Sequence, residues 1–226
     1  MIGVFDSGAG GLFALAELRR LLPDADIAFF ADTENAPYGS KSREEIIRLV
    51  SDDIDRLTDV GCDRVLMACC TASTVYDFLS EDRRLVSLPI ISPTARRAVS
   101  ISESKRIGII STEATRKSRA FERKISELAD GAVCLCRQAP ELVSLAESGE
   151  CDGALSDNGR KILEKCVSVF RDSGIDTLIL GCTHFAYFEN TIGEILKINV
   201  VNSAREGALA MQEYASGGEG KTLFLA

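Results

Sequence analysis

The sequence has no tryptophan, a single histidine and only five prolines, and it lacks an apolar run long enough to cross a membrane. A spanning helix needs about 18 or more consecutive apolar residues, so we expect no membrane role. Basic residues are also scarce: 26 Lys and Arg stand against 34 Asp and Glu, which gives a net charge of -8. This balance argues against a broad nucleic-acid-binding surface, which requires clustered basic side chains. An anionic ligand must therefore be bound by local hydrogen-bond donors.

The N-terminus lacks the features of a signal peptide. No basic segment precedes the short apolar run Ile2–Phe5, and the acidic Asp6 follows it directly. We therefore expect a cytoplasmic protein in which the eight cysteines are reduced thiols. A length of 226 residues with 46% hydrophobic residues suffices for one large or two small domains, and two are favoured.

Short β-rich runs alternate with helical patterns along the chain. We predict strands at Ile2–Phe5, Ile27–Phe30, Arg64–Met67, Ile107–Ile110, Ala132–Leu135, Thr177–Leu180 and Asn199–Val201. This alternation predicts mostly parallel sheet with helices on both faces. Because the pattern runs twice, the expected fold is α/β with two similar doubly wound domains. The first would contain residues 1–93 plus 203–226, and the second residues 94–202.

Local signals place some of the helices and the connections between the halves. Ser42 followed by Glu45 is a capping box that predicts a helix start. The polar, Ser-rich stretch between positions 92 and 104 is the predicted crossing from the first half to the second. A second crossing is expected near Asn202, followed by a helix at about Ala204–Tyr214 that returns to the first domain.

Two cysteines follow aliphatic runs more than a hundred positions apart. Cys69 comes after Arg64–Met67 and Cys182 after Leu178–Leu180, and ligand crevices in open α/β sheets lie at such strand ends. A thiol where a helix begins is placed to be stabilised as a thiolate, which predicts Cys69 as a nucleophile or base. The alternative is that each is a small buried hydrophobic residue, which we favour for the cysteines outside these two motifs.

Two other polar residues lie beside these thiols. His184, the lone histidine, is two positions from Cys182, although a single histidine is more often structural. Asp6 ends the first predicted strand, where it can exchange a proton with a neighbouring thiol or simply cap a turn.

Two further motifs give no cofactor. The loop Gly8–Gly11 lacks the spacing of a dinucleotide-binding fingerprint, and no phosphate-binding P-loop occurs in the sequence. Its backbone N–H groups can still bind a carboxylate. Cys134 and Cys136 share one face of a strand, but four metal ligands at suitable spacing are not assembled. We therefore predict neither a cofactor nor a bound metal.

Five blocks, in order along nearly the whole chain, resemble those of glutamate racemases, in the cofactor-independent aspartate/glutamate racemase superfamily. They are Gly3–Gly8 with Gly10–Leu12, Pro37–Ser42, Ala68–Ser73, Thr112–Thr115 and Leu180–His184. The resemblance implies two α/β domains that face each other across a central cleft. The substrate, a small amino acid, would lie in that cleft between one cysteine from each domain.

The resemblance also implies a mechanism and a set of roles. One thiolate removes the α-proton while the opposite thiol protonates the other face, and the configuration inverts without pyridoxal phosphate. By similarity, Asp6 assists Cys69 and His184 assists Cys182. The implied substrate-binding positions are Ser7, the Tyr38–Gly39 backbone, Cys70, Thr71, Thr112, Thr115, Glu147 and Thr183. The implied role is supply of D-glutamate for peptidoglycan, with a homodimer as a candidate assembly.

Two departures from the family pattern keep alternatives open. Cys70 stands where the family has Asn, and a thiol hydrogen-bonds more weakly than an amide. The residues after His184 begin with Phe185, where the family has a less aromatic segment. Alternatives are therefore a racemase of aspartate or another amino acid, a catalytically impaired binding relative, and a thiol hydrolase that uses Cys69 and His184.

Overall fold

The computed structural model describes residues 1–215 and 217–225 of the chain. Within these ranges the strands form two parallel sheets, one of five strands and one of four. The first sheet has the order β4-β3-β1-β2-β9. Its strands are β1 (Ile2–Asp6), β2 (Ile27–Ala31), β3 (Arg64–Met67), β4 (Ser87–Pro89) and β9 (Thr222–Leu225).

The second sheet repeats the same arrangement in a shorter form. Its order is β6-β5-β7-β8. The strands are β5 (Arg106–Ser111), β6 (Val133–Gln138), β7 (Thr177–Gly181) and β8 (Asn199–Asn202). These two sheets confirm the predicted α/β class with two mostly parallel sheets.

Helices connect the strands of both sheets. They are α1 (Gly11–Leu21), α2 (Arg43–Asp59), α3 (Cys70–Ser73), α4 (Glu81–Val86), α5 (Ile91–Ile101), α6 (Glu113–Ser118), α7 (Ala120–Leu128), α8 (Pro140–Glu147), α9 (Asp157–Val167), α10 (Glu189–Leu196) and α11 (Ser203–Met211). A 3-10 turn at Tyr38–Ser40 and another at Thr183–Phe188 lie where the two halves meet.

Helix α2 shows how local sequence sets one of these elements. Ser42 Oγ accepts a hydrogen bond of 3.2 Å from Glu45 N, which confirms the predicted capping box. Ile46, Val50 and Ile54 are all buried on one face of the helix, as their spacing of four predicts. The buried face of α2 packs on β1, β2 and β3 and fixes the side of the first sheet that carries Tyr38.

The connections between the halves differ in part from the expectation. The Ser-rich stretch after position 90 is the helix α5, and the expected boundary at residues 93 and 94 falls within it. Ile91, Ala95 and Ala98 give α5 a buried apolar stripe, which outweighs its polar serines. Near the second crossing, the Asn202 side chain accepts from Ala204 N and Arg205 N and caps α11, which packs against α1 and α5. The division into two domains stays a prediction.

Two strands were missed by the sequence analysis. Strand β4 has three residues, one of them proline, and β9 follows a glycine-rich polar segment. Each lies at an edge of the first sheet, where a strand needs only one partner and a weaker local signal suffices.

Candidate active site

Four strand ends converge on one cavity between the two sheets. In the first sheet the chain runs from β1 outward to β2 and then returns to β3 on the other side, so the strand order reverses between β1 and β3. In the second sheet the same reversal falls between β5 and β7. Ligands bind at such reversal points in open α/β sheets. Cys69 follows β3 and Cys182 follows β7, so both thiols lie at these points.

The cavity has a volume of about 430 Å³. It is lined by most of the residues predicted from the sequence: Ser7, Tyr38, Gly39, Cys69, Cys70, Thr71, Thr112, Glu147, Cys182, Thr183 and His184. Asp6 and Thr115 lie behind this lining. The sequence analysis did not name eight further lining residues as site residues: Gly8, Ala36, Pro37, Ser40, Glu113, Pro140, Val143 and Ser144. Those on α8 carry no chemical motif, and only the fold brings them to the site.

Cys69 is held at the start of α3. Its Sγ accepts from Ala72 N at 3.5 Å and lies 3.3 Å from Ser7 Oγ. Burial raises the pKa of the Cys69 thiol to about 11 and the nearby Asp6 adds to this, while the hydrogen bonds from Ser7 and Ala72 oppose it. The N–H group of Ala72 at the helix start therefore favours the thiolate, but burial disfavours it by more. Loss of solvation outweighs the local donors.

Cys182 has His184 as its polar neighbour. Its Sγ lies 3.9 Å from His184 Nδ1. Burial raises the pKa of Cys182 well above its usual value, and the neighbouring thiols of Cys70 and Cys69 add to this. Burial lowers the pKa of His184, while the charge of Glu147 opposes that change. His184 is therefore neutral at pH 7, with a ring nitrogen beside the thiol that can accept its proton.

The other ring nitrogen of His184 points toward Glu147. The distance from His184 Nε2 to Glu147 Oε1 is 3.6 Å, too long for a hydrogen bond, and Nε2 is buried without a partner. A small movement of the largely exposed Glu147 side chain would close this gap.

Asp6 links the two halves of the molecule and makes no hydrogen bond to Cys69 among its described contacts. Its Oδ2 accepts from Thr183 Oγ1 at 2.9 Å, and its Oδ1 accepts from Gly8 N at 2.9 Å. The second bond is the turn contact that was the alternative interpretation. Burial raises the pKa of Asp6 to about 7. Ser7, next in the chain, makes the direct contact with the Cys69 thiol, while Asp6 acts on it through charge.

Three threonine hydroxyls join the halves on the other side of the cavity. Thr71 Oγ1 lies 3.0 Å from Thr112 Oγ1 and 3.2 Å from Thr115 Oγ1, and Thr112 donates to Thr115 at 2.9 Å. Thr115 is buried and reaches the cavity only through the other two hydroxyls. Thr71 and Thr112 are the members that can contact a ligand.

The close approach of the halves also explains a glycine. A Cβ at Gly10 would lie 2.4 Å from Thr183 Oγ1 and 2.9 Å from His184 Nδ1. The sequence analysis considered this loop for phosphate or carboxylate binding. In the structure, Gly10 leaves the space that Thr183 and His184 occupy beside the cavity.

Cys70 faces the same cavity and is almost fully buried. Burial raises the pKa of its thiol, and a hydrogen bond with Ser203 opposes that change. Ser203 in turn donates to the Leu180 carbonyl at 2.6 Å, just before Cys182. Cys70 therefore lies where an amide would offer stronger hydrogen bonds to a ligand.

The composition of the lining restricts the chemistry. Its described side chains include no Lys or Arg, so a ligand carboxylate must be held by hydroxyl and backbone N–H groups. Over residues 1–215 and 217–225, no group of three or more His, Cys, Asp or Glu could hold a metal ion. The same ranges contain no helix long and apolar enough to cross a membrane.

Two thiols from separate halves of the molecule thus line one cavity, each beside a polar partner. Residues 15–211 match the model of the Asp/Glu/hydantoin racemase family, so the chain belongs to this family and is an isomerase. Among curated relatives, it is 38% identical to the glutamate racemase of Desulforudis audaxviator, over 88% of this chain and 72% of that protein. It is 35% identical to the glutamate racemase of Geobacter metallireducens, over 96% of this chain and 81% of that protein.

Solved structures give the same result. Glutamate racemase RacE1 of Bacillus anthracis aligns with a TM-score of 0.86 at 28% identity, covering 99% of this chain and 87% of that one. Glutamate racemase of Francisella tularensis, solved in complex with D-glutamate, also aligns with a TM-score of 0.86, at 27% identity over 94% of this chain and 80% of that one. These findings confirm the resemblance inferred from the sequence.

Proposed function

We propose that this protein interconverts L- and D-glutamate, with Cys69 and Cys182 as the acid–base pair. The observation that carries the proposal is the placement of these two thiols at the ends of β3 and β7, in one cavity lined by both halves. The substrate assignment rests on the relatives, which are glutamate racemases at 35% and 38% identity. The D-glutamate complex of the Francisella tularensis enzyme supports it further.

The reaction transfers one proton off the α-carbon and one proton onto its opposite face. One cysteine acts as the thiolate that takes the α-proton and becomes a thiol. The electron pair of the broken Cα–H bond stays on the α-carbon of the substrate. The other cysteine, as a thiol, gives its proton to the opposite face and becomes the thiolate. The enzyme therefore ends each turnover with the two protonation states exchanged, ready for the reverse reaction.

The charged substrate can generate the thiolate that the buried site disfavours. The pKa of Cys69 is raised mainly by burial, so a positive ammonium group in the cavity would stabilise the thiolate. Neutral His184 lies beside the Cys182 thiol and can accept its proton, while Asp6, whose pKa is raised to about 7, acts on Cys69 through its charge. A base beside a thiol favours formation of the thiolate.

Hydroxyl groups replace basic side chains in binding the substrate. Ser7, Thr71 and Thr112 line the cavity, together with Thr183 and the Tyr38–Gly39 backbone. Fixed donors of this kind stabilise negative charge that develops on the α-carboxylate when the α-proton leaves.

The proposed role is supply of D-glutamate for peptidoglycan. The division into domains at residues 1–93 plus 203–226 and 94–202, a homodimer, a cytoplasmic location and the absence of a cofactor stay predictions alongside it.

A second candidate function is racemisation of aspartate or another amino acid. The observation that favours it is Cys70, which lines the cavity at the position where the family has Asn. Loss of one hydrogen bond to a charged substrate group costs about 1.5–3 kcal/mol, enough to change substrate preference.

The test is incubation of the purified protein with L-glutamate in D₂O, following both α-deuterium incorporation and the appearance of the D enantiomer. Deuterium incorporation with inversion supports the proposal. Cys69→Ser and Cys182→Ser should each lose racemisation, while Cys134→Ser, a half-buried cysteine outside the cavity, should retain it. If glutamate is inert but another amino acid exchanges and inverts, the second candidate is favoured. Glutamate binding without exchange would indicate a binding relative instead.

A further inference from the structure

The wall of the active-site cavity that comes from the first half contains a tyrosine whose hydroxyl bonds to residues outside the cavity lining. Residues Pro37–Ser40 line the cavity, and Tyr38 among them is fully buried. Gly39 fits closely against the second half, since a Cβ there would lie 3.2 Å from Thr112 Cβ. The position of Tyr38 therefore sets the position of this wall.

The Tyr38 hydroxyl contacts two carboxyl groups at once. Its oxygen lies 2.5 Å from Asp32 Oδ2 and 2.8 Å from Asp53 Oδ2. A phenol has one hydrogen and can donate to only one of these oxygens. The other oxygen pair needs its own hydrogen, because two hydrogen-free oxygens at hydrogen-bond distance repel each other. The geometry of three oxygens thus requires two hydrogens, one more than the tyrosine supplies.

We propose that the carboxyl group of Asp53 keeps a proton and uses it to donate a hydrogen bond to the Tyr38 hydroxyl. This hydrogen bond positions the Pro37–Ser40 wall for substrate binding. Tyr38, Asp32 and Asp53 are then positioning residues, since they act on the substrate only through the backbone of this wall. The inference rests on the proposed function only for its kinetic consequence.

The neighbours of the two carboxyl groups place the proton on Asp53. Asp32 Oδ1 also accepts from Asn35 Nδ2 at 2.9 Å, so Asp32 has a donor on its second oxygen as well. Burial raises the pKa of Asp53 to about 7 and the charges of Asp32 and Asp52 add to this, while the hydrogen bond with Tyr38 and the charge of Arg56 oppose it. The pKa of the Tyr38 hydroxyl is raised strongly by burial and by the charge of Asp53, so the phenol keeps its hydrogen.

The proton can exchange with solvent without passing through the active site. Asp32 and Asp53 line a second cavity, of about 750 Å³, whose lining includes neither Cys69 nor Cys182. Glu34, Arg48, Asp52 and Arg56 are the other charged groups around it. Above about pH 7 the extra proton leaves, two carboxylates share one phenolic hydrogen, and the anchor of the wall weakens.

Asp53→Asn isolates this proton. The Asn amide can donate to Tyr38 at every pH, as the protonated carboxyl does, and it cannot ionise. Asp52→Asn is the matched control, because Asp52 is the next residue on α2, is paired with Arg48 and does not contact Tyr38 in the described hydrogen bonds. Asp32→Asn is a second variant in case Asp53→Asn fails to fold, since it too leaves one carboxyl group for one phenolic hydrogen.

The measurement is backbone hydrogen–deuterium exchange at positions 38–40 in the ligand-free protein, corrected for intrinsic exchange rates. Between about pH 6 and about pH 9, protection should fall about fivefold, the equivalent of one hydrogen bond, in the unmodified protein and in Asp52→Asn. It should stay constant in Asp53→Asn and in Asp32→Asn. A parallel fall in all four proteins, or no fall in the unmodified protein, would overturn the proposal.

The kinetic consequence is a second, separate readout. KM for glutamate should rise by about fivefold over the same pH range in the unmodified protein but not in Asp53→Asn. The pH dependence of kcat should be the same in both proteins. A KM rise of equal size in Asp53→Asn would contradict the positioning role. If the protein does not racemise glutamate at all, the proposed function fails, and the exchange experiment still decides whether the proton is there.

Discussion

Thr183, which follows β7, donates a hydrogen bond of 2.9 Å to Asp6 at the end of β1. The two residues follow or end strands of different sheets. Thr183 is next to Cys182 and Asp6 is next to Ser7, and both of these neighbours line the cavity. This bond therefore fixes how the two halves of the active site face each other. It also stabilises the charged form of a carboxyl group whose burial favours the neutral form.

Thr183→Val tests this contact, because valine matches the shape of threonine without the hydroxyl. We expect a loss of about 1–3 kcal/mol in the free energy of unfolding, since Asp6 is left buried without this donor. Racemase activity should fall with it, and Thr183→Ser, which keeps the hydroxyl, should restore both. Urea unfolding and steady-state kinetics on the same preparations give the two values. Equal stability of the Val and Ser variants would show that the bond is not formed in solution.

Asp6→Asn should change how stability depends on pH. The pKa of Asp6 is about 7 in the folded protein and about 3.8 when unfolded, so the unfolded state releases this proton first as pH rises. The stability of the unmodified protein, relative to Asp6→Asn, should be highest below about pH 4 and should fall until about pH 7, then level off. The full change is on the order of 4 kcal/mol for a shift of about three pKa units.

The measurement for this prediction is the difference between the unfolding free energies of the two proteins at several pH values. The difference is informative because exposed carboxyl groups such as Glu150, whose pKa is lowered by Ser156, contribute the opposite trend equally to both proteins. A difference that does not vary with pH would mean that the pKa of Asp6 is the same in the folded and the unfolded protein.

The sequence indicated the strands, the two thiols and their polar neighbours because these signals are local. Aliphatic runs ended at Met67 and Leu180, and polar residues followed within two positions. The helix-start motif at Cys69 was also local: its Ala72 N–H lowers the thiol pKa, but burial, a property of the whole fold, raises that pKa by more. A short motif shows which donors are near but not how much water is excluded.

Contacts between distant residues could not be predicted in the same way. In the sequence, Asp53 is only one of several acidic residues in the helix α2. Its partners Asp32 and Tyr38 lie 21 and 15 positions earlier. Thr115 was chosen as a substrate-binding residue because of its motif, yet the fold places it behind Thr71 and Thr112. Strand β9 pairs with β2 from the opposite end of the chain, and nothing near it in sequence announces that partner.

Cys70→Asn tests whether this position limits the use of glutamate. Asparagine adds an amide donor and acceptor where Cys70 offers a weakly bonding thiol beside Ser203. If the rest of the pocket suits glutamate, kcat/KM should rise by roughly tenfold, the value of one hydrogen bond to a charged group. Cys70→Ala, with no hydrogen-bonding group, should not show this gain. An unchanged kcat/KM in Cys70→Asn would indicate that the pocket differs from its relatives at other positions, among them Phe185.

Gly10→Ala should damage the active site through the junction between the halves. The added methyl would lie 2.4 Å from Thr183 Oγ1 and 2.9 Å from His184 Nδ1, so one or both side chains must move. Overpacking of this kind costs about 1–3 kcal/mol, and the movement separates Thr183 from Asp6 and His184 from Cys182. We therefore expect a lower melting temperature and a lower kcat. Gly217→Ala is the matched control, because a Cβ there meets nothing within 4 Å and should leave both values unchanged. An unaltered kcat in Gly10→Ala would show that the junction accommodates a methyl group. The contacts of Thr183 with Asp6 and of His184 with Cys182 would then not be needed for catalysis.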